Sequence, residues 1–351
     1  MAPDAPDVTI YYNENFAGFP DACRLVEGDI LVAFREDTIH MESETGRTVC
    51  ARSSDGGRSW SDPVVVCDFP GVDDRDPRIM GRPDGSVWVG VMGQDPVDYP
   101  LHNENYLVRS YDGGRTWEEP VKIAPYTSEE PAEEVLWEPP VQYWPTYPEC
   151  ELSDGSLLWT GFAVRGRRTQ RHQAGLRCTF FGSEEDGRFS WTPHIHPDLG
   201  GSDEWSVVET EPGRLVAILR QQPAHYYYQS ASTDHSRTFE PARPTTIWQG
   251  PIASRPKLYR VDDFLLVAYA ERANHRVVAV PSLDGGRTWR SDKVVTVIES
   301  ERYCCGYDFG YPAVVEVDEG TLLFVYYAYP GKESPHRGIY GNFVPKKLFT
   351  R

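Results

Sequence analysis

The sequence has no run of about 18 apolar residues, so no membrane-spanning helix is expected. Its first ten residues, MAPDAPDVTI, contain neither the basic nor the apolar segment of a secretory signal, which favours a cytoplasmic location. Basic residues are in the minority, because 35 Lys and Arg stand against 53 Asp and Glu and give a formal net charge of −18. This charge disfavours nucleic-acid backbones and anionic membranes as partners.

Cysteine spacing typical of metal or redox sites is also absent. Seven cysteines, an odd number, occur without a Cys-x-x-Cys pair. We therefore expect mostly buried, reduced thiols rather than a disulfide framework or a zinc site. His194 and His196 are spaced like metal ligands, but in TPHIHPD an ordinary loop or strand end is the favoured interpretation. The sequence predicts no metal and no cofactor.

Amphipathic helical periodicity is nearly missing, and short turns recur in its place. SSDGGRSW (53–60), SYDGGRTW (110–117), STDHSRTF (232–239) and SLDGGRTW (282–289) are four copies of one motif, with a weaker copy at 183–191. In such a turn Asp accepts backbone N–H groups, Gly supplies a positive φ and the closing aromatic packs under a sheet. Four copies of these repeat turns predict a repeat protein, and we expect the turns themselves to be structural.

A second repeat predicts the number of structural units. Six segments share a polar or aromatic start, an apolar run, a turn and a second apolar run, and they begin near residues 19, 75, 147, 204, 254 and 311. Starts about 50 to 70 residues apart suit four-stranded propeller blades. We therefore predict an all-β, six-bladed β-propeller with four antiparallel strands per blade, formed by residues 1–351 as one domain. The strand at 7–13 is expected to pair into the last blade and close the ring.

Propeller geometry predicts which residues lie near the central axis. The inner strand of each blade starts on the face to which the next strand returns, so the two ends of each segment share one face and the repeat turns lie on the other. The polar and aromatic residues at these positions are Phe19, Asp21, Arg75, Asp76, Glu149, Glu204, Arg220, Arg255, Arg272, Asp308 and Tyr311. Such charges either form ion pairs that plug the channel or line a polar pocket. Aromatic-rich loops at 136–149 and 225–229 favour the pocket.

The repeat turns and the six-blade plan resemble the sialidase (neuraminidase) superfamily, with its BNR or Asp-box repeats, over nearly the whole chain. In that family a blade-4 segment opens with Glu and closes with Arg, as Glu204 and Arg220 do here. The last blade opens with a nucleophilic Tyr, which GYPAVVEV matches at Tyr311. The resemblance implies that Glu204 polarises Tyr311 and that Arg220 and Arg272, with Arg276 as the alternative, bind a substrate carboxylate.

The chemistry fits these residue types. In a sugar whose anomeric carbon carries a carboxylate, that carboxylate would repel a carboxylate nucleophile. A neutral phenol avoids this repulsion. Tyr has an unperturbed pKa near 10 and needs an adjacent base to become nucleophilic. Guanidinium groups hold carboxylates through bidentate, charge-assisted hydrogen bonds.

Two features depart from the family pattern. The first is that the Arg-(Ile/Leu)-Pro motif, which supplies the first triad arginine, is replaced by Gly18-Phe19-Pro20. Arg75 or Arg255 is expected to take the place of that arginine, and Arg35 is a further substrate-binding candidate. The second is the block DDRDPRI (73–79), which places Arg75 and Asp76 on the same face and is not typical of the family. The general acid is expected in the loop 35–46, with Asp76 as a further possibility. The candidates are Asp37, His40, Glu42 and Asp76, of which His40 has the ordinary pKa best suited to proton transfer near neutrality.

These residues imply an exo-acting, sialidase-like glycoside hydrolase that cleaves a terminal, acidic sugar from a glycan and retains configuration if Tyr311 is the nucleophile. Two alternatives remain open. A polysaccharide lyase would act on uronates with His40 or Tyr311 as its base, and a non-catalytic propeller would bind carbohydrate without turnover.

Overall fold

The computed structural model describes residues 2–40, 43–96, 103–124, 126–166, 175–185, 188–201, 204–332 and 334–350. The chain forms six antiparallel sheets; five are made from consecutive strands, and the sixth combines the first strand with the last three. The inner strands of neighbouring sheets contact one another in cyclic order, and the last contacts the first. The fold is therefore a six-bladed β-propeller, as predicted.

The first three blades are built in chain order from the inner strand outwards. Blade 1 contains β2 (Phe16–Arg24), β3 (Ile30–Asp37), β4 (Arg47–Ser53) and β5 (Val64–Cys67). Blade 2 contains β6 (Asp73–Gly81), β7 (Val87–Gln94), β8 (Asn103–Ser110) and β9 (Val121–Ala124). Blade 3 contains β10 (Tyr126–Ser128), β11 (Val141–Glu151), β12 (Leu157–Arg165), β13 (Leu176–Glu185) and β14 (Arg188–Ile195).

The other three blades follow the same order. Blade 4 contains β15 (Trp205–Glu211), β16 (Arg214–Leu219), β17 (Tyr226–Ser232) and β18 (Arg243–Trp248). Blade 5 contains β19 (Lys257–Val261), β20 (Phe264–Glu271), β21 (Arg276–Ser282) and β22 (Val295–Glu299). Blade 6 contains β23 (Gly310–Asp318), β24 (Thr321–Ala328) and β25 (Gly338–Pro345). The helical segments are short: Glu133–Val135, Pro197–Leu199, Arg272–Asn274 and α1 (Lys347–Thr350).

The ring is closed by the N-terminal strand. β1 (Val8–Tyr11) pairs antiparallel with β25 and supplies the fourth strand of blade 6, so that the first and last strands of the chain lie side by side. This pairing joins the two ends of the chain within one blade and so holds the ring of blades closed.

Blade 3 differs from the expected plan. Its inner strand starts at Val141 rather than near 147, because the aromatic and β-branched residues before Tyr147 continue the same strand, and β10 pairs with this extension as a fifth strand. The extended β11–β12 hairpin therefore rises on the face where the inner strands begin.

The repeat turns join the third and fourth strands of their blades and so lie on the opposite face. In the second copy Asp112 Oδ1 accepts hydrogen bonds from the backbone N–H groups of Arg115 and Thr116, both at 2.9 Å. In the fourth copy Asp284 Oδ1 accepts from Thr288 N at 2.9 Å. At 183–191 the weak copy is a hairpin in which β13 runs to 185 and β14 starts at 188.

The core lies between the blades. Each of six apolar clusters joins two neighbouring blades around the ring, for example the cluster that contains Trp88 of blade 2 and Trp159 of blade 3. The seven cysteines are free thiols and five are buried, which confirms the prediction of reduced, mostly buried cysteines. No helix in the described ranges has the length and apolar character needed to cross a membrane.

Candidate active site

Three inner strands carry the same backbone bulge where they start. Phe19, Asp76 and Tyr311 each precede a proline and have φ values of 56°, 51° and 48°. The strand register shifts at each of these positions. L residues rarely adopt such φ values, and each costs of order 1–3 kcal/mol. A bulge redirects a side chain, and the Phe19 and Tyr311 rings meet at a centroid distance of 5.4 Å.

Tyr311 contacts the acid of blade 4. Its hydroxyl donates to Glu204 Oε2 at 3.1 Å, and Arg220 Nη1 donates to the same oxygen at 2.6 Å. The structure thus brings together the two ends of the blade-4 segment and the start of the blade-6 segment. Burial raises the pKa of Tyr311 well above its ordinary value, and Glu204 raises it further, while Arg220 and Arg272 act in the opposite direction. The phenol is therefore neutral near pH 7.

Arg220 is held from behind by other polar groups. Arg177, which is fully buried, donates from Nη2 to the Arg220 carbonyl at 2.6 Å and from Nη1 to the Leu199 carbonyl at 2.6 Å. With its amide oriented to satisfy both of its polar atoms, Gln222 accepts from Arg220 Nη2 at 2.6 Å and Nε at 2.9 Å. Arg177 thus fixes the backbone of Arg220, and Gln222 fixes the plane of its guanidinium group.

Of the two arginines expected after the blade-5 strand pair, Arg272 reaches Tyr311. Its guanidinium carbon lies 5.8 Å from the Tyr311 ring centroid, and its Nε donates to the Phe309 carbonyl at 3.1 Å. Arg276 instead pairs with Glu271, with Nη2 at 2.7 Å from the carboxylate. The adjacent acid at the end of β20 therefore explains why Arg276 lies outside the pocket.

Ion pairs form among the axial charges, which is one of the two arrangements expected from the sequence. Further along the inner strands, Lys257 pairs with Asp21 at 2.9 Å and Arg255 with Glu149 at 3.1 Å. We call these two contacts the axial ion pairs. They lie beneath Tyr311, where Asp21, Arg255 and Lys257 line a small cavity together with Tyr311, so the structure places Arg255 in an ion pair with Glu149.

Arg75 remains at the pocket. Its Nε donates to Asp76 Oδ2 at 2.9 Å and its Nη1 to Gln94 Oε1 at 3.2 Å. Its guanidinium carbon lies 5.1 Å from the Phe19 ring centroid. Burial alone would raise the pKa of Asp76, but the charges of Arg75, Arg78 and Arg255 hold it below its usual value. Asp76 is thus a carboxylate near neutrality and suits an electrostatic role better than proton donation.

Arg35 and Asp37 form a buried cluster away from the pocket. Arg35 is fully buried, donates from Nε to Asp73 Oδ1 at 2.6 Å and also pairs with Asp37. Asp37 Oδ1 accepts from Thr45 Oγ1 at 2.9 Å. Arg35 is therefore paired inside the protein with two carboxylates, and Asp37 helps to anchor the loop after β3. Candidate acid Glu42 lies outside the described residues.

His40, in the same loop, reaches the site face. Its Nδ1 lies 3.1 Å from Asp308 Oδ2, and its ring stacks on Phe16 with centroids 5.1 Å apart. Asp308 also accepts from the Tyr327 hydroxyl at 2.6 Å and pairs with Arg337 at 3.3 Å. Burial by itself would raise the pKa of Asp308, but these partners hold it below its usual value.

The place of the missing triad arginine is filled by aromatic rings. A Cβ at Gly18 would lie 2.6 Å from Phe16 Cε1 and 3.5 Å from Tyr327 Cδ2. No side chain fits there while Phe16 keeps its position. We call Phe16, Phe19, His40 and Tyr327 the aromatic wall.

Sequence reasoning missed several of these residues. Tyr327 ends the blade-6 segment as Arg220 ends the blade-4 segment, so the rule that identified Arg220 could have identified it. The X-Pro dipeptides at Phe19, Asp76 and Tyr311 were a further signal for the bulges. Phe16 and Arg337 lie outside the six segments and had no such signal.

The two histidines with metal-like spacing do not converge. His196 is buried with Nε2 at 2.7 Å from Thr179 Oγ1, and burial lowers its pKa to about 3. The His194 ring packs edge-on against Phe181. Across the described part of the chain, no group of three or more His, Cys, Asp or Glu side chains could hold a metal ion.

Comparisons with known proteins agree with this architecture. The model of the BNR repeat-like domain family matches residues 28–324. A sialidase from Bacteroides fragilis (strain YCH46) is 23% identical over 308 residues, covering 79% of this chain and 53% of the relative. The chain thus spans about half the length of the curated relative it matches.

Solved structures share the propeller fold. A protein of unknown function from Dyadobacter fermentans DSM 18053 has a TM-score of 0.73 and 20% identity, covering 97% of this chain and 98% of its own. The sialidase of Trypanosoma rangeli in complex with sialic acid has a TM-score of 0.68 and 15% identity, covering 98% of this chain and 60% of its own.

The aromatic wall makes a testable prediction about Gly18. In Gly18→Ala the new methyl group collides with Phe16, so we expect a loss of about 1–3 kcal/mol in the free energy of unfolding. In a Phe16→Ala background the same change should cost much less, because the collision is gone. Thermal and denaturant unfolding measure both effects.

Gly331→Ala is the matched control, because a Cβ at that position has no atom within 4 Å. Equal costs for Gly18→Ala in the two backgrounds would contradict the packing of Phe16 over Gly18.

Proposed function

The chain belongs to the BNR repeat-like domain family, and from this membership and its axial pocket we propose that it is a retaining, exo-acting glycoside hydrolase that removes a terminal acidic sugar from a glycan. The observation that carries the proposal is the hydrogen bond of 3.1 Å between Tyr311 and Glu204, flanked by Arg220 and Arg272. The likeness of the chain to sialidases supports it.

The pair can act as a nucleophile and its base. Since Tyr311 is neutral near pH 7, attack by its oxygen on an anomeric carbon requires that its proton pass to Glu204. Arg220 and Arg272 favour the developing phenolate, because both lower the pKa of Tyr311. Formation of a sugar–Tyr311 bond and its hydrolysis would invert the anomeric carbon twice and so retain its configuration.

Cations around the phenol favour an anionic substrate. Arg220, Arg272 and Arg75 come from blades 4, 5 and 2 and lie around one pocket in a chain of net charge −18. Glu204 and Asp76 pair with two of these guanidinium groups, and a sugar carboxylate that enters the site would bind the cations through charge-assisted hydrogen bonds.

The closed floor favours a terminal sugar. Because the axial ion pairs leave only a small cavity beneath Tyr311, a polysaccharide cannot pass along the axis, and a substrate must enter end-on from the face that carries Tyr311 and Glu204. The aromatic wall stands where the family carries its first triad arginine, so the carboxylate would be bound from blades 4, 5 and 2. On the side of blade 1 the sugar would meet His40, because Phe16, Phe19 and Tyr327 are buried.

Activity of single and double variants tests the nucleophilic unit. Tyr311→Phe and Glu204→Gln should each lower kcat by about 10²- to 10⁴-fold on an aryl glycoside of an acidic sugar. The double variant should be little worse than either, because the two groups act in one step. Steady-state kinetics measure the three losses.

Tyr111→Phe, in a repeat turn on the opposite face, is the control and should retain wild-type kcat. Losses that multiply fully in the double variant would show that Tyr311 and Glu204 act separately. Formation of an unsaturated uronate, detected by its near-ultraviolet absorbance, would identify a lyase instead, and binding without turnover would identify a non-catalytic propeller.

The charge of the substrate is tested at Arg220. Arg220→Lys should lower kcat/KM on the acidic sugar by about 30-fold or more, equivalent to roughly 2 kcal/mol, because Lys cannot reproduce the bidentate fork. The corresponding neutral sugar should be a far poorer substrate of the wild type. Arg287→Lys in the fourth repeat turn is the matched control. Equal turnover of both sugars, with Arg220→Lys unimpaired, would refute an acidic substrate.

A further inference from the structure

A retaining hydrolase needs a second proton-transfer group besides the nucleophilic pair. It protonates the departing glycosidic oxygen and later accepts a proton from water. The described carboxyl candidates are poorly placed for this task. Asp37 is 6% exposed and bonded to Arg35 and Thr45, and Asp76 is buried as a carboxylate beside Arg75.

His40 combines access with orientation. Its side chain is 40% exposed, whereas that of its partner Asp308 is 19% exposed. Because Asp308 binds at Nδ1, Nε2 is the nitrogen available to exchange a proton with a ligand. Stacking on Phe16, with ring planes 7° apart, fixes the plane of the imidazole.

Asp308 is itself held in place by two other residues of blade 6. The Tyr327 hydroxyl of β24 donates to Oδ1 at 2.6 Å, and Arg337, next to β25, donates from Nε to the Asp308 carbonyl at 2.9 Å. The Arg337 guanidinium carbon lies 3.4 Å from the Tyr329 ring centroid. Several elements of blade 6 thus fix the carboxylate that orients a histidine of blade 1.

One ring separates the two reacting groups. Phe19 lies 5.3 Å from the His40 ring and 5.4 Å from the Tyr311 ring, measured between centroids. The centroids of the His40 and Tyr311 rings are therefore at most about 11 Å apart. A sugar bound between their accessible edges can have Tyr311 on one side of its anomeric carbon and His40 on the side of its leaving group.

We infer that His40 is the catalytic acid and base of this site and that Asp308 is its positioning residue, an assignment that rests on the proposed function. In the first step the Tyr311 oxygen bonds to the anomeric carbon and its proton passes to Glu204. The glycosidic C–O bond breaks, and the leaving oxygen takes the proton of His40 Nε2. In the second step water attacks, its proton goes to Nε2, and Tyr311 leaves and recovers its proton from Glu204.

Leaving-group dependence tests this assignment. A general acid matters greatly for a poor leaving group and little for one that departs as a stable anion. On an acidic-sugar glycoside of methanol or of a second sugar, His40→Gln should lower kcat/KM by about 10²- to 10⁴-fold. On the dinitrophenyl glycoside the loss should stay below about tenfold.

Asp308→Asn should show the same dependence on the leaving group with smaller losses of kcat/KM. Asparagine keeps the shape of the Asp308 side chain but binds His40 more weakly and so orients it less firmly. His40→Asn serves as a second variant, and thermal unfolding establishes that each protein is folded. His235→Gln is the control, because His235 also lies near carboxylates, Asp154 at 3.5 Å and Glu209 at 3.8 Å, but in a repeat turn on the opposite face.

Equal losses on both substrates, or no loss on either, in folded His40 variants would overturn the role of His40. A folded Asp308→Asn protein with wild-type leaving-group dependence would overturn the positioning role. Wild-type protein inactive on every acidic-sugar glycoside would refute the hydrolase itself, and this inference with it, so the two failures are distinguishable.

Discussion

The site depends on the left-handed backbone that three neighbouring inner strands adopt before a proline. A positive φ occurs at Phe19, Asp76 and Tyr311, and each such conformation costs about 1–3 kcal/mol of folding free energy. Such conformations persist where the surrounding structure holds them in place. Phe19 and Tyr311 pack in the apolar cluster between blades 6 and 1, and Asp76 is held by its ion pair with Arg75. Blades 6, 1 and 2 thereby deliver a phenol, an aromatic platform and a carboxylate to one point near the axis.

Charge pairing explains how so many ionic groups lie around one axis. Arg220 meets Glu204, Arg75 meets Asp76, Arg255 meets Glu149 and Lys257 meets Asp21. A buried charge is tolerated when it is paired and hydrogen-bonded, and removal of one partner is far more costly than loss of the pair. The pairs of Arg255 and Lys257 lie beneath Tyr311, whereas the side chains of Arg220 and Glu204 are 17% and 16% exposed. Charge pairing therefore accounts for both sets of contacts.

Local patterns made the fold and part of the site predictable. The repeat turns recur because each needs the same Asp contacts and positive φ, and the segment ends located Glu204, Arg220 and Tyr311. The sequence could not predict which arginine lies beside Tyr311, because that depends on carboxylates that come close only in the folded chain. Glu271 holds Arg276 and Asp73 holds Arg35. Phe16 was missed because its contact with Gly18 depends on how the β2 bulge folds.

The proposed mechanism requires that Tyr311 become covalently bonded to the substrate. A fluorinated acidic sugar with an activated leaving group should slow breakdown of the intermediate more than its formation, because fluorine disfavours the oxocarbenium-like transition state and the leaving group offsets this in the first step alone. Mass spectrometry of the digested protein should then find one sugar on the peptide that contains Tyr311, and none in Tyr311→Phe. A label on another residue, or turnover with inversion at the anomeric carbon, would contradict the account.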